Sequence, residues 1–273
     1  MPEPLILALE TSSRRGSVAL GRPPAPPRTR VLRTDRTHTA ELLPAIADLL
    51  REAHVRPDEV AVVAFSRGPG SFTGLRVGVT VARTWHSATR ARLVALDTLD
   101  VLAREASAHA QPDTPVAIGV SAGAGRVFGG LYQRCKGGGA TPAGEVAAAT
   151  PLALHEDDGG PGAECLAQGW QVVDPPRLRD AAEWCRTLPP GCAATGDWVA
   201  GHGEALQAAG VAMLPEACWL PDATDVWALA VEAAAAGRFC RPEDARPLYP
   251  RPPECEEVYE QRRLAARARR GVS

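Results

Sequence analysis

The chain has 273 residues, 45% of them hydrophobic, with 30 basic residues against 32 acidic ones. That length allows one large domain or two lobes with real cores, and the apolar content excludes wholesale disorder. A net charge of -2 provides no overall field to draw nucleic acid or a membrane surface, and no apolar run is long enough to cross a bilayer.

In chain order, Leu5–Leu9 is a short apolar run ending in Glu10-Thr11-Ser12-Ser13, which predicts a buried strand opening into a polar turn. Ser17–Leu20 predicts a second strand, in a hairpin with the first, and Arg30–Thr34 a third beyond the proline-rich loop Pro23–Pro27. From Thr39 a helix is expected over 39–53. Leu42, Leu43, Ile46, Leu49 and Leu50 form its apolar stripe, and Pro44 sits near its start, where a missing N–H is best tolerated. Val60–Phe65 predicts the next strand. It runs into SRGPGSFTGLRVG, residues 66–78, a glycine turn that opens helix Phe72–Thr89. Leu93–Leu96 and Thr98–Ala110 read as a further strand and helix. The order β-β-β-α-β-α-β-α implies a mixed sheet with helices on its faces, the ribonuclease-H-like half of actin-like and hexokinase-like proteins.

Beyond Gln111 the pattern weakens. Pro115–Val120 and Arg126–Leu131 read as strands, Lys136–Thr150 as a loop, and residues 151–220 as short helical patterns. Pro221–Arg238 predicts a helix, capped by Asp222 or Thr224 and stopped at Gly237. No internal repeat is visible. The expected fold is therefore α/β, actin-like (ribonuclease-H-like), with two lobes of mixed sheet flanked by helices. Residues 1–110 form the first lobe, 111–240 the second with its C-terminal helix, and 241–273 a loosely ordered tail rich in Pro and Arg. Seven cysteines, at 135, 165, 185, 192, 218, 240 and 255, form no C-x-x-C pair, and no signal peptide is read. Reduced thiols in a cytoplasmic protein are expected.

Two constellations stand out. Glu10, Thr11 and Ser12 after the first strand, with Gly70 and Ser71 of the glycine turn, lie where a nucleotide phosphate and its magnesium would be held in this topology. The turn is neither G-x-G-x-x-G nor a lysine-bearing phosphate loop, so any contact is expected to be weak. A tight corner, with Ser71 or Thr73 capping the helix, is the alternative. The helix that follows carries Gly74, Gly78 and Ala82 four apart, a face that admits another backbone. With Trp85 as anchor, and Leu42, Leu43, Ile46 and Leu50 on the preceding helix, it is read as a partner interface. The alternative is a fully buried internal helix. Histidines at 38, 54, 86, 109, 155 and 202 form no H-x-x-x-H pair, so no metal site is expected. No G-x-S-x-G elbow occurs, and no catalytic residue is assigned. Arg262, Arg263, Arg267, Arg269 and Arg270 make a basic tail, read as solvated although it has the charge to touch RNA.

Three segments, ILALETSS…SVAL, RTHTAELLPAI and SRGPGSFTGLRVG, together resemble the TsaB (YeaZ) family over about residues 4–100, with PDATDVWALA and ARPLYPR as thinner matches downstream. The resemblance implies an actin-like ATPase fold and a non-catalytic component in making threonylcarbamoyladenosine, beside the anticodon of tRNA. It implies pairing with a TsaD catalytic subunit through helices 39–53 and 72–89, and a homodimer when alone. It also implies a TsaE ATPase in the assembly, tRNA contact only through the complex, and no cofactor beyond weak ATP or ADP at a subunit boundary. The family usually has Asp where this chain has Glu10, and Asp-Ala-Arg in the stretch that here reads Ser121 to Phe128. The rival reading is an actin-like ATPase or phosphotransferase using Glu10 and the Gly68–Ser71 turn. Such an enzyme should carry a second D-x-G-x-[ST] loop, and none is found.

Overall fold

The computed structural model describes residues 3–33, 38–134 and 169–249. The chain begins β1 (Ile6–Glu10), β2 (Ser17–Gly21), β3 (Arg28–Val31), α1 (His38–Glu52), β4 (Val62–Gly68), α2 (Phe72–Thr89), β5 (Arg92–Asp97) and α3 (Thr98–His109). It continues β6 (Val116–Gly123), β7 (Arg126–Arg134), β8 (Trp170–Asp180), α4 (Ala181–Thr187), β9 (Ala193–Thr195), α5 (Gly203–Ala208), β10 (Ala212–Met213) and α6 (Ala223–Ala235).

The strands form two five-stranded mixed sheets, ordered β3-β2-β1-β4-β5 and β10-β9-β6-β7-β8. Counted from its own first strand, each sheet runs 3-2-1-4-5. In each, the first three strands are antiparallel and the last two join in parallel. Each is followed by the same alternation of helices. This is the two-lobed actin-like fold, and the two halves repeat one topology although no repeat is visible in the sequence. A strand order can recur while the side chains that satisfy it drift apart.

β1 is buried along its whole length because both faces of its sheet are covered. Leu5, Leu7 and Leu9 pack with Leu42, Ile46 and Leu49 of α1 and Val79 and Ala82 of α2. Ile6 and Ala8 point the other way, onto Ala223, Val226 and Ala230 of α6. The strand's two-residue period thus divides one apolar run between two cores. Small side chains on both sides of the second core (Ala8, Ala19 and Ala64 against Ala223, Ala230 and Ala233) let α6 lie close to the sheet.

This corrects the expected grouping of the C-terminal helix. α6 follows the second sheet in sequence but packs on the first. Conversely, Leu99, Leu102 and Ala106 of α3 pack against Val116 and Ile118 of β6. α6 thus crosses to the first lobe, while α3 lies between the sheets, with Val101 in the first-sheet core, and Arg104 of α3 ties the two helices together through Asp225 and Glu232 of α6.

The longest strand, β8, lies where short helical patterns were expected. It contains Pro175-Pro176 and irregular register against β7, features tolerated at a sheet edge, which is where β8 sits. α6 starts and stops as read, with Asp222 accepting from the Thr224 N–H. The loop expected over Lys136–Thr150, part of the 151–220 stretch, and the arginine tail lie outside the described residues. Among the described residues no helix is long and apolar enough to cross a membrane.

Candidate functional site

The turn after β1 and the glycine turn after β4 meet, as their sequence positions suggested, but they meet each other. The Ser71 N–H donates to the Ser12 carbonyl at 2.6 Å. A Cβ on Gly70 would collide with that same carbonyl, and one on Gly68 (φ 126°) with the Leu248 carbonyl. Both glycines are needed because backbone passes where a side chain would be. Glu10 is wholly buried between them. Its Oε1 accepts from the Ser12 N–H and hydroxyl, each at 2.6 Å, and its Oε2 accepts from the Ser66 hydroxyl. Burial pushes the Glu10 carboxyl above the usual range, against the opposing pull of those hydrogen bonds. The carboxylate is thus committed inside the chain.

Of the residues expected as weak nucleotide contacts, Glu10, Thr11 and Ser12 are buried, at no more than 2% exposure. Gly70 holds the corner. Ser71 is the N-cap of α2, its hydroxyl accepting from the Gly74 N–H at 3.3 Å. The turn is a corner closed on itself, with the Glu10 carboxyl occupied by hydrogen bonds from its own chain.

The expected interface face is also turned inward. Gly74, Gly78 and Ala82 are buried, and a Cβ on Gly78 would stand 2.5 Å from Thr11 Oγ1. The backbone that approaches this stripe belongs to the β1 turn of the same chain. Leu42, Ile46 and Leu50 are likewise buried in the first core, and Trp85 is half-buried against it. Of the eight residues assigned to the interface, Leu43 is the one that stands clearly in solvent, at 56% exposure. A helix apolar around most of its girth fits two orientations, and only the register of α2 on the sheet chooses between them.

What α1 and α2 present outward is a groove of about 380 Å³, lined by Leu42, Leu43, Phe72, Arg76, Val77 and Val81 among others. Phe72 is 49% exposed. It packs on Tyr249 with ring centroids 4.8 Å apart, and the Arg76 guanidinium lies 5.1 Å from its ring centre. A second depression on the other side of α2, of about 330 Å³, shares Arg76 and Thr80 and adds Arg83 and Pro247. Tyr249 follows a segment pinned by Ala245 in the first core and by the Leu248 N–H on the Arg67 carbonyl at 2.7 Å. The reading of the sequence missed Phe72, Arg76, Thr80 and Arg83. Their near-fourfold spacing, offset by two residues from the glycine stripe, was the available signal.

Fold and site together define a class: a two-lobed actin-like α/β protein whose phosphate-side turn is filled by its own chain and whose first lobe offers an apolar groove with an arginine rim. Residues 32–216 match the family model of TsaD, tRNA N6-adenosine threonylcarbamoyltransferase. The tRNA threonylcarbamoyladenosine biosynthesis protein TsaB of Bacillus subtilis is 30% identical over 47% of this chain and 55% of the relative. The Escherichia coli protein of the same description is 30% identical over 49% of this chain and 57% of the relative. The chain thus spans about half the length of these relatives. Among solved structures, YeaZ from Pseudomonas aeruginosa superposes with a TM-score of 0.66 at 25% identity, covering 90% of this chain and 99% of that one. A second structure, described as similar to peptidase YEAZ from Pseudomonas aeruginosa, gives 0.67 at 26% identity, covering 91% and 100%. The chain belongs to the TsaB/YeaZ family.

Proposed function

We propose that this chain is a non-catalytic, cytoplasmic component of tRNA threonylcarbamoyladenosine synthesis, and that it binds a TsaD-type catalytic subunit through the outward groove of α1 and α2. The observation that carries this is the groove itself: exposed Leu43 and Phe72 between helices whose other apolar residues are already used. The relatives' printed role in threonylcarbamoyladenosine biosynthesis and the TsaD family match supply the choice of occupant. Arg76 on the rim, with Arg83 in the adjoining depression, favours a partner surface that carries carboxylates. In this reading a TsaE-type ATPase joins the assembly, tRNA is reached through the complex, and a second copy occupies the groove when the partner is missing. Any ATP or ADP is held weakly, at a subunit boundary.

The test is calorimetric binding to the purified TsaD subunit. Leu43→Asp and Thr80→Arg each place charge in the groove and touch no core residue. Each is expected to weaken binding at least tenfold, about 1.4 kcal/mol. Surface changes of this kind stay within about 0.5 kcal/mol of stability, so Tm should move by no more than about 2 °C. Undiminished binding by both variants refutes the groove. Turnover of ATP, or threonylcarbamoyl transfer by the chain alone, refutes the non-catalytic role.

A further inference from the structure

Away from the groove, α3 brings Glu105 and His109 one turn apart on one face, against Cys218 from the 3-10 turn Glu216–Cys218. One ligand atom from each lies within 4.8 Å of the others, and Glu105 Oε1 is 3.4 Å from His109 Nε2. The donors are graded in depth: Cys218 is fully buried, Glu105 is half-buried and His109 is exposed, so the cluster opens to solvent on the imidazole side. Asp225, from the first turn of α6, lies beside the Glu105 carboxyl, and Arg104 stands 3.7 Å from Asp225.

We propose that Glu105, His109 and Cys218 form a zinc-binding site, with the fourth position left to water. A thiolate, an imidazole and a carboxylate together select a borderline divalent ion over magnesium or calcium. Zinc sits about 2.0–2.3 Å from such ligands, so ligand atoms in a tetrahedron stand roughly 3.3–3.8 Å apart. The Glu105–His109 pair already meets that spacing, and no pair of the three exceeds 4.8 Å. Cys218 binds as thiolate and its proton leaves to solvent. The ion would clamp α3, the helix that lies between the sheets, onto the segment that leads into α6.

The reading of the sequence expected no metal because it sought histidine pairs. Glu105 and His109 have the same i, i+4 spacing with a carboxylate in one place, and the thiol arrives from far along the chain.

The probe is Co²⁺ titrated into the chelator-treated full-length protein, followed by competition with Zn²⁺. One equivalent is expected to give a thiolate-to-cobalt band in the near ultraviolet and the visible bands of a four-coordinate ion, both abolished by zinc. Cys218→Ser should remove the near-ultraviolet band, while Cys185→Ser and Cys240→Ser leave it. His109→Ala alters an exposed side chain, so the fold survives, and affinity should fall more than about a hundredfold, the upper end for outer partners. At a hundredfold excess over Kd, zinc should raise Tm by about 5–10 °C. Absence of the band, or a band that persists in both Cys218→Ser and His109→Ala, overturns the proposal.

Discussion

The inward face of α2 carries Gly74, Gly78 and Ala82, while its outward face carries Phe72, Arg76, Thr80 and Arg83. Both stripes look like contact surfaces, but their contacts differ. The small residues mark where the chain touches itself, because Thr11 and the β1 turn occupy the space a side chain would need. The mixed aromatic, aliphatic and arginine stripe is left over after internal packing is satisfied. A glycine stripe shows that some backbone comes close. It does not say whose.

Four substitutions sharpen the contrast. Gly78→Leu should be the most damaging, because it drives a branched side chain into a buried threonine. Overpacking costs about 1–3 kcal/mol and sometimes more, so thermal melting should show a fall at the upper end of that range, about 6–12 °C. Intact melting would mean that the stripe faces solvent after all. Gly78→Ala separates the causes. Alone, its helix gain of about 1 kcal/mol is offset by the clash with Thr11 Oγ1, whereas in a Thr11→Ala background it should be net stabilising in denaturant titrations. Ser71→Ala removes the cap of the same helix and should cost about 1 kcal/mol, or roughly 2–4 °C. Loss of partner affinity without loss of stability in this variant would mean that the N-terminus of α2 belongs to the docking face.

Glu10→Gln has the smallest effect and the clearest pH signature. Burial raises the folded-state pKa of Glu10 above its ordinary value of 4.5. The folded protein therefore keeps a proton that the unfolded chain has released. Stability from this group is fully present below about 4.5 and is lost as pH rises through the folded value. Glutamine does not titrate, so the Tm of Glu10→Gln relative to wild type should climb between pH 4 and pH 8. A flat difference would place Glu10 in contact with water.

The first lobe was legible because its strands are uninterrupted apolar runs and its turns carry Gly, Ser and Thr at the corners. β1, β4, α2 and α3 follow from composition and period alone. The second lobe was not, for reasons visible in β8. Its burial alternates irregularly, it holds Pro175-Pro176, and Asp174 pairs with Arg177 and Arg179 within the strand's own neighbourhood. β9 and β10 are three and two residues long, too short to show a period. At the candidate site, the residues chosen on α1 and α2 turn out to face inward, with Leu43 as the clear exception. Glu10, read from the sequence as a weak nucleotide contact, is the acceptor that stitches two turns together.

The crossing of α6 to the first sheet also sets an order in time. Ile6, Ala8, Ala19, Val62 and Ala64 form one face of the first sheet, and most of their cover is α6, with Val101 of α3 beside it. During synthesis that sheet is complete once β5 emerges at Asp97, but its cover arrives only when α6 ends at Ala235. At about 5–20 residues per second, the nascent sheet lacks that cover for roughly 7–28 s. A ribosome paused in that window exposes a sticky half-protein, so the stretch between the lobes is where slow translation would be most costly to yield.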